Sequence, residues 1–261
     1  MLREMGSVLV AFSAGVDSTF LAAIAQRVLG HNALAVTATS PSIPAREVQA
    51  ATDLAKQIGI RHRLVQSNEM ANPAYVENAP DRCYHCKSEM FDQLRKIARE
   101  ENLRFVLDGS NTDDLGDYRP GSKAAKEKAV RSPLQECGFT KAEIREASRA
   151  IGLPTADKPS FACLASRFPY GTMITAQALG AVEKAENALR DLGFEQVRVR
   201  AHGEIARIEL LPQDVARAAE PEVRSRIVSD LQKAGFRHVT LDLQGYRTGS
   251  MNEGLKSTSS S

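Results

Sequence analysis

The chain has 261 residues with 34 basic and 32 acidic side chains, which gives a formal net charge of +2. So small a positive excess argues against a large nucleic-acid-binding groove, although a local basic patch stays compatible with it. Hydrophobic residues make up 43% of the sequence, which suits a globular core, and no apolar run approaches the roughly 20 residues that cross a bilayer. The first residues show no signal-peptide pattern, so we expect a cytoplasmic protein with no membrane partner.

Strand and helix patterns alternate through the first 150 residues. Short apolar runs predict four buried strands, and the helical patterns between them end before Gly30 and Gly59. Thr140 opens a capping-box pattern, which predicts a further helix to residue 150. The alternation indicates an α/β fold with a doubly wound parallel sheet. The predicted strands are residues 7–12, 33–39, 61–65 and 104–108, and the predicted helices between them are residues 17–29, 44–58 and 87–101.

The pattern changes after residue 157. A long amphipathic helix is followed by two alternating strands, a second helix and a last strand, which indicates a smaller C-terminal α+β domain. We expect a first domain over residues 1–171, a second over 172–250, and a polar, serine-rich disordered tail over 251–261. The predicted C-terminal elements are residues 175–192, 196–201, 204–211, 222–234 and 238–243.

A segment of small residues, Ser13-Ala14-Gly15-Val16-Asp17-Ser18, joins the first strand to the first helix. A tight turn there directs successive backbone N–H groups, Val16 among them, at one point, and the helix adds the positive end of its dipole. The hydroxyls of Ser13 and Ser18 add donors, while Gly15 lets the main chain approach a phosphate. Asp17 suits a Mg²⁺ ion between itself and the phosphate. Simple helix capping is the alternative, but the first crossover of a parallel sheet favours nucleotide binding.

A glycine and an acidic cluster follow the fourth predicted strand, whose carboxyl end faces the same crevice. Gly109 would let a nucleotide approach the main chain, and the carboxylates would hold Mg²⁺ or orient a substrate. Closely spaced acids need a cation or a basic partner, and Arg119 and Arg131 lie near them in sequence. An ordinary Asx-rich turn is the alternative. The acidic residues are Asp113, Asp114 and Asp117.

Four cysteines in a reducing compartment are more often thiols or metal ligands than disulfides. Cys83 and Cys86 are spaced so that both can face one metal, with a redox dithiol as the competing interpretation. Cys137 suits the role of a small buried hydrophobe. Cys163 lies in a long irregular loop beside Arg167, a cation that would favour a thiolate, and a buried structural cysteine is the alternative.

Arg198 and Arg200 alternate with valines in a predicted strand, so both lie on one face of it. Two guanidinium groups on one face suit a phosphate or carboxylates. The alternative is that these arginines lie on a solvent-exposed face of the small sheet, which would give the same spacing.

The 13–18 segment resembles the PP-loop of the N-type ATP pyrophosphatases. Together with residues 107–114, 131–134 and 198–209, and above all Cys163-Leu-Ala-Ser-Arg-Phe-Pro-Tyr-Gly-Thr172, it is similar to the LarE family of ATP-dependent sulfur transferases. That resemblance implies an adenine nucleotide alpha hydrolase-like fold. It also implies adenylylation of the carboxylates of pyridinium-3,5-biscarboxylic acid mononucleotide, release of pyrophosphate, and displacement of AMP by sulfur.

The resemblance implies two versions of the sulfur donor. In one, the loop cysteine gives up its own sulfur and becomes dehydroalanine; in the other, three cysteines hold a [4Fe–4S] cluster that carries an extra sulfide. Cys83, Cys86 and Cys163 supply the three thiols, so we expect the cluster version. The resemblance further implies a homo-oligomer, with hexamers in the family. It places ATP at Ser13, Gly15, Val16, Asp17, Ser18 and Gly109, the activated substrate near Lys87, Asp113, Arg119 and Arg131, and a second charged site at Glu186, Arg198, Arg200 and Glu209.

Three other functions share parts of this pattern. A tRNA-thiolating enzyme would use the same loop and cysteine chemistry, but it commonly carries an RNA-binding module or further Cys-x₂-Cys pairs, and we find neither. A non-catalytic ATP-binding protein would use Cys83 and Cys86 for a structural zinc. An amide-forming ligase would need a source of ammonia that the sequence does not show.

Overall fold

The computed structural model describes residues 1–116, 120–159 and 162–247. The chain divides into two compact units, of which the first comprises Met1–Val76 and Pro80–Ala162 and the second comprises Glu77–Ala79 and the residues from Cys163 onward. The functional domains 1–171 and 172–250 stay predictions. Asp117, Arg119 and the expected disordered tail lie outside the described residues.

The first unit contains four strands and eight α-helices among its described residues. Two 3₁₀ turns, Gly30–Asn32 and Glu69–Ala71, precede a third at Thr112–Gly116. In chain order the elements are α1 (Leu2–Met5), β1 (Val8–Ala11), α2 (Val16–Leu29), β2 (Ala33–Thr39), α3 (Ala45–Ile58), β3 (Arg61–Gln66), α4 (Pro73–Val76), α5 (Arg82–Glu100), β4 (Phe105–Leu107), α6 (Pro120–Glu127), α7 (Pro133–Glu136) and α8 (Lys141–Ala150).

The four strands form a parallel sheet in the order β3-β2-β1-β4. One apolar cluster joins Val8 and Val10 of β1 to residues of α2, α3 and α8, and a second joins Leu9 to residues of α5 and α6. Because successive side chains of a strand point to opposite faces, the two clusters lie on opposite faces. The predicted doubly wound α/β fold is therefore confirmed.

The expectation that all four strands are buried is wrong for β3. This strand lies at the edge of the sheet, and none of its residues is fully buried. Arg61 and Arg63 lie on it and pair with Glu101, the C-cap of α5, and with Glu100, its last residue. An edge strand has one neighbouring strand only, and the polar residues Arg61, His62 and Arg63 of β3 suit such a partly exposed position.

The order of the strands creates a switch point between β1 and β4. From β1 the chain proceeds outward to β2 and β3, and then crosses over to β4 on the other side of β1. Ligands of open α/β sheets bind outside the carboxyl ends of the strands at such a reversal. The 13–18 segment follows β1 and Gly109 follows β4, so both lie at this point.

The second unit is a small mixed sheet with three α-helices among its described residues. Strands β5 and β6 form an antiparallel hairpin, and β7 pairs in parallel with β6 after a helical crossover. No helix in the described part of the chain is long and apolar enough to cross a membrane. The elements are a 3₁₀ turn (Leu164–Arg167), α9 (Ala176–Asp191), β5 (Val197–His202), β6 (Ile205–Leu210), a second turn (Pro212–Asp214), α10 (Val215–Ala219), α11 (Pro221–Ala234) and β7 (His238–Leu241).

Candidate active site

The 13–18 segment turns sharply between β1 and α2. The backbone N–H of Phe12 donates to the carbonyl of Val36 at 2.8 Å, which extends the sheet by one residue. Gly15 is the N-cap of α2, and its carbonyl accepts from Thr19 N–H at 3.0 Å. The N–H groups of the first helical turn have no partner within the helix, and Gly15 has no side chain to cap them. The turn therefore forms a cup of donors at the positive end of a helix dipole.

The strained residue of this turn is Ala14, not Gly15. Ala14 has a φ of 53°, whereas Gly15 has a φ of −79° and a ψ of 168°, a conformation open to any residue. A left-handed conformation costs a non-glycine residue about 1–2 kcal/mol. The hydroxyls of Ser13 and Ser18 lie 3.1 Å apart, so both donors that the sequence predicts lie together at the cup.

Gly109 lies against the start of α2. A Cβ atom at this position would lie 2.9 Å from the backbone N of Ser18 and 3.2 Å from the carbonyl carbon of Asp17. Only glycine allows this approach without a shift of the backbone. That Gly109 lies near the nucleotide stays a prediction; the structure shows that this glycine lets the chain after β4 pack against the 13–18 segment.

The carboxylate of Asp17 has two partners that sequence analysis did not single out. Asn111, which is buried, donates from Nδ2 to Oδ1 of Asp17 at 3.3 Å. The Nζ of Lys141, the first residue of α8, donates to Oδ2. A lysine at the first position of a helix is electrostatically disfavoured, and this is the signal in the sequence that points to Lys141.

A second lysine holds the strained residue of the loop. Lys158 donates from Nζ to the carbonyl of Ala14 at 3.2 Å and to Oε2 of Glu47 at 2.8 Å. Glu47 lies in the first turn of α3. The carbonyl of Ala14 is thus fixed by a lysine whose position is set by a carboxylate. Nothing in the local sequence around Lys158 indicates this contact, because it joins residues far apart in the chain.

The described members of the acidic cluster after β4 both accept hydrogen bonds from backbone N–H groups. Asp113 accepts from the backbone N–H of Lys141 at 3.1 Å, and Asp114 accepts from that of Asn111 at 3.0 Å. The contact of Asp114 lies within the turn, as the alternative of an Asx-rich turn predicts, whereas Asp113 binds the start of α8. Their contacts lend no support to a Mg²⁺ site, whereas the side chain of Asp17 at the cup is an oxygen donor of the kind Mg²⁺ prefers.

Among the described residues, the side chain of Arg131 pairs with Glu136 and not with the acidic cluster as expected. Its side chain forms a bidentate ion pair with Glu136, with Nε 2.8 Å from Oε1. A hydrogen bond from Arg131 holds the pKa of the Glu136 carboxyl below its usual value. The backbone of Arg131 pairs with Val106 and Asp108 beside β4. This pairing brings the Arg131 side chain close to α7. Its partner is therefore Glu136, five residues away, and not an acidic residue of the loop after β4.

Cys83 and Cys86 lie in the first turns of α5, which begins at Arg82 and not at residue 87 as predicted. The i, i+3 spacing on a helix puts both thiols on one face, with Cys83 exposed and Cys86 half-buried. A Cys-x₂-Cys pair that opens a helix is also the geometry of a redox dithiol. Lys87 is exposed, and its Nζ lies 5.7 Å from the centre of the Phe91 ring.

The four cysteines, all within the described residues, form no disulfide. Cys137 is exposed, so the expectation of a small buried hydrophobe is wrong for it. Cys163 is half-buried and begins the second unit, whereas Cys83 and Cys86 belong to the first. Within the described ranges no group of three or more His, Cys, Asp or Glu side chains is arranged to hold a metal ion. The expected three-cysteine ligand set stays a prediction.

The expected effect of Arg167 on Cys163 requires correction. Arg167 is fully buried, and it binds Glu186 through Nε at 2.7 Å and Nη2 at 3.1 Å. Its Nη1 donates to the backbone carbonyl of Cys163 at 3.1 Å. The positive charge is therefore balanced by a carboxylate, and the guanidinium orders the loop around Cys163 through its backbone.

The predicted second charged site is a buried network of ion pairs. Arg198 and Arg200 are 6% and 5% exposed, so the alternative of a solvated face is wrong. Arg200 pairs with Glu209 at 2.7 Å, and Arg207 reaches the same carboxylate at 3.1 Å. Burial, and then the neighbouring charge of Arg167, lowers the pKa of Arg198 to about 10. Arg198 therefore stays charged near neutral pH.

Glu186 lies at the centre of this network with no exposed surface. Besides Arg167 it accepts from Arg190 at 2.9 Å and from the backbone N–H of Val199 at 3.1 Å. Burial works against its charge, but the attraction of Arg167 and Arg190 is larger, so the pKa of Glu186 is below its usual value. The carboxylate thus joins α9, β5 and the Cys163 loop.

A cup of N–H donors with two serines and an aspartate, at the switch point of a parallel sheet, defines a nucleotide-binding protein of the PP-loop class. In agreement, a family model described as asparagine synthase matches residues 1–151. A pyridinium-3,5-bisthiocarboxylic acid mononucleotide synthase of Lactiplantibacillus plantarum is 41% identical over 256 residues, which cover 97% of this chain and 92% of that protein. The chain belongs to this synthase family, the LarE family.

Two further relatives extend over nearly the same length. An uncharacterized protein of Synechocystis is 49% identical over 252 residues, which cover 97% of this chain and 94% of the relative. An uncharacterized protein of Methanocaldococcus jannaschii is 27% identical over 241 residues, which cover 92% of this chain and 91% of the relative. Both units of the chain are therefore shared with these proteins.

Proposed function

We propose that the chain is an ATP-dependent sulfur transferase that converts the carboxylates of pyridinium-3,5-biscarboxylic acid mononucleotide to thiocarboxylates, in nickel-pincer cofactor synthesis. The observation that carries the proposal is the identity of 41% over 97% of the chain to a synthase named for the bisthiocarboxylic product. The cup at the 13–18 loop supports it, because the reaction needs a site that binds a polyphosphate.

ATP activates the carboxylate by making its oxygen part of a good leaving group. A carboxylate oxygen attacks the α-phosphorus, the bond to the β-phosphate oxygen breaks, and pyrophosphate leaves. The N–H groups of residues 15–18 and the hydroxyls of Ser13 and Ser18 would hold the phosphates and the departing pyrophosphate. Sulfur then attacks the acyl carbon and expels AMP, and the second carboxylate reacts in the same way.

For the sulfur we favour a [4Fe–4S] cluster held by Cys83, Cys86 and Cys163. Three thiolates leave one iron open, and the paired thiols on one face of α5 fit two of the ligand positions. The cluster would supply sulfide, which makes the chain a catalyst. The other version uses the Cys163 thiol itself: β-elimination after acyl transfer leaves the sulfur on the product and dehydroalanine in the chain.

For substrate binding we favour cationic side chains, because the substrate carries a phosphate and two carboxylates. Lys87 and Arg119 of the first unit and Arg198 and Arg200 of the second are the candidates. Glu186 and Glu209 would hold those arginines and not contact the anion, since carboxylates repel it. Gly109 and Asp17 would complete the ATP site with Mg²⁺. A cytoplasmic homo-oligomer, hexameric by resemblance, is part of the same prediction.

The test is a reaction without RNA. The anaerobic protein is mixed with ATP, Mg²⁺, inorganic sulfide and the biscarboxylic mononucleotide, and AMP, pyrophosphate and the mass of the nucleotide product are followed. We expect one AMP for each oxygen replaced by sulfur. Pyrophosphate release that requires tRNA, or none with either substrate, would contradict the proposal.

The sulfur source is tested in the same protein. The cluster version predicts iron, absorption near 400 nm in anaerobic preparations, and loss of both in Cys83→Ala. A decrease of Cys163 in mass by one H₂S after turnover, with no iron bound, would contradict it and indicate the sacrificial version. One tightly bound zinc without turnover would contradict both.

A further inference from the structure

The short segment Glu77–Ala79 belongs to the second unit, although the chain before and after it belongs to the first. Its central residue, Asn78, has no exposed surface and a φ of 57°. Asparagine enters this left-handed conformation more readily than most residues other than glycine, but the conformation still costs energy. A buried polar residue held in this way indicates a constraint from its surroundings, and such constraints are frequent at functional sites.

Asn78 holds the turn that follows the Cys163 loop by two hydrogen bonds of opposite direction. Its side chain donates from Nδ2 to the carbonyl of Pro169 at 2.8 Å, and its own carbonyl accepts from the backbone N–H of Gly171 at 3.0 Å. The carbonyl of Pro169 also accepts from the N–H of Thr172 at 3.0 Å, which closes the turn. Asn78 therefore fixes the downstream end of the 163–172 loop at two points.

The upstream end of the same loop is held from another side. The carbonyl of Cys163 accepts from Arg167 Nη1 at 3.1 Å, and Arg167 is itself bound by Glu186. Cys163 thus lies in a loop with one anchor at Arg167 and a second at Asn78. The two anchors meet the chain at neighbouring positions, since Pro169 directly follows the residue that caps the 3₁₀ turn of Arg167. A loosened Pro169 therefore lets this turn shift, and the Cys163 thiol shifts with it.

We propose that Asn78 is a positioning residue for the thiol of Cys163. The inference rests on the proposed function, in which Cys163 either donates its own sulfur or binds the cluster that carries sulfide, and it applies to both versions. In either version the sulfur must approach the acyl carbon of the activated substrate in a defined geometry. A displacement of about 1 Å from that geometry can lower a rate on the order of a hundredfold.

Glycine is the substitution that tests the side-chain amide of Asn78. Asn78→Gly tolerates the left-handed backbone and keeps the carbonyl that binds Gly171, but it removes the Nδ2 donor. Asn78→Asp keeps the shape of the side chain and sets a carboxylate oxygen against the carbonyl of Pro169, so its effect should be larger. Asn102→Gly is the matched control, because Asn102 also has a positive φ, of 56°, but is exposed and belongs to the first unit.

The position of the thiol is measured by alkylation. Anaerobic, chelator-treated protein reacts with iodoacetamide at a single pH, and peptide mass spectrometry gives the rate for each cysteine. Loss of one hydrogen bond, with more frequent opening of the loop, predicts roughly three- to tenfold faster alkylation of the half-buried Cys163 in Asn78→Gly. The rate should not change in Asn102→Gly. The exposed Cys137 of the first unit is the internal reference and should react equally in all variants.

Turnover tests whether this position matters for sulfur transfer. Asn78→Gly should lower the kcat of thiocarboxylate formation at least about fivefold and leave the KM for ATP within about twofold, because the ATP cup belongs to the first unit. A residue that only stabilises the fold would lower the Tm and leave kcat unchanged at temperatures well below it.

Three results would overturn the inference. The first is an unchanged alkylation rate of Cys163 in Asn78→Gly, and the second is an equal acceleration of Cys163 and Cys137, which would indicate general loosening. The third is faster alkylation of Cys163 with an unchanged kcat. If the wild-type chain forms no thiocarboxylate, the proposed function fails, whereas the alkylation rates still decide whether Asn78 positions the thiol. If Asn78→Gly does not fold, Asn78→Ser takes its place in the same measurements.

Discussion

Replacing Glu186 by glutamine tests whether the buried network is what holds the second unit together. The carboxylate has no exposed surface and accepts four hydrogen bonds, two from Arg167, one from Arg190 and one from Val199 N–H. Glutamine keeps the shape but removes the charge and turns an N–H₂ group toward donors. Arg167, also without exposed surface, then loses the negative charge of the carboxylate that it binds.

Breaking a buried ion pair on one side costs about 3–5 kcal/mol. A domain of about 100 residues changes its Tm by roughly 4–8 °C per kcal/mol, so we expect the Tm of the second unit to fall by at least about 12 °C. Calorimetry or far-ultraviolet circular dichroism follows the transition. Glu195→Gln, at an exposed position just before β5, is the matched control and should stay within about 0.5 kcal/mol.

The carboxylate of Glu186 also limits the stability of the second unit at low pH. Its pKa is lowered in the folded chain from an ordinary value of 4.5, so its stabilising contribution is complete above that pH and is lost as the pH falls through the folded pKa. Below about pH 4.5 the wild-type unit should lose stability more steeply than Glu186→Gln. Equal Tm values for the two proteins at pH 7, or equal acid slopes, would refute this explanation of the network.

Two further predictions concern the 13–18 loop. Gly109→Ala puts a Cβ 2.9 Å from Ser18 N, which costs about 1–3 kcal/mol and should raise the KM for ATP in pyrophosphate release at least severalfold. The control is Gly180→Ala, where a Cβ meets nothing within 4 Å and the KM should not change. Equal KM values for Gly109→Ala and the wild-type chain would contradict the close approach. Lys158→Met removes the donor to the Ala14 carbonyl and should weaken ATP binding severalfold with little change in Tm, whereas unchanged binding would show that this contact does not position the loop.

The parts of the fold that the sequence predicts well are those that local pattern determines. Strand β2 has its predicted bounds, and the capping box of α8 forms as the Thr140 pattern indicates. The start of α5 is five residues earlier than predicted, because cysteine, tyrosine and histidine are only moderate helix formers and gave no start signal. The position of a helix end depends on such weak preferences, whereas the presence of a long helix is indicated by its periodic pattern of apolar residues.

The residues of the site likewise fall into those that the local sequence predicts and those that it does not. The order of residues 13–18 predicts the cup, since a turn between strand and helix is a local feature. Asn111, Lys141 and Lys158 escaped detection as site residues because their contacts cross 94, 124 and 144 positions of the chain. Likewise, alternation puts Arg198 and Arg200 on one face, but it cannot show that Ser166, whose carbonyl accepts from Arg200 at 3.0 Å, lies against that face.

The most direct test of carboxylate activation is an oxygen-isotope experiment. The biscarboxylic mononucleotide is labelled with ¹⁸O in its carboxylates and turned over with ATP and a sulfur source, and the AMP and pyrophosphate are analysed by mass spectrometry. Adenylylation followed by attack of sulfur on the acyl carbon predicts one ¹⁸O atom in each AMP and none in pyrophosphate. Unlabelled AMP formed together with thiocarboxylate product would contradict an acyl-adenylate.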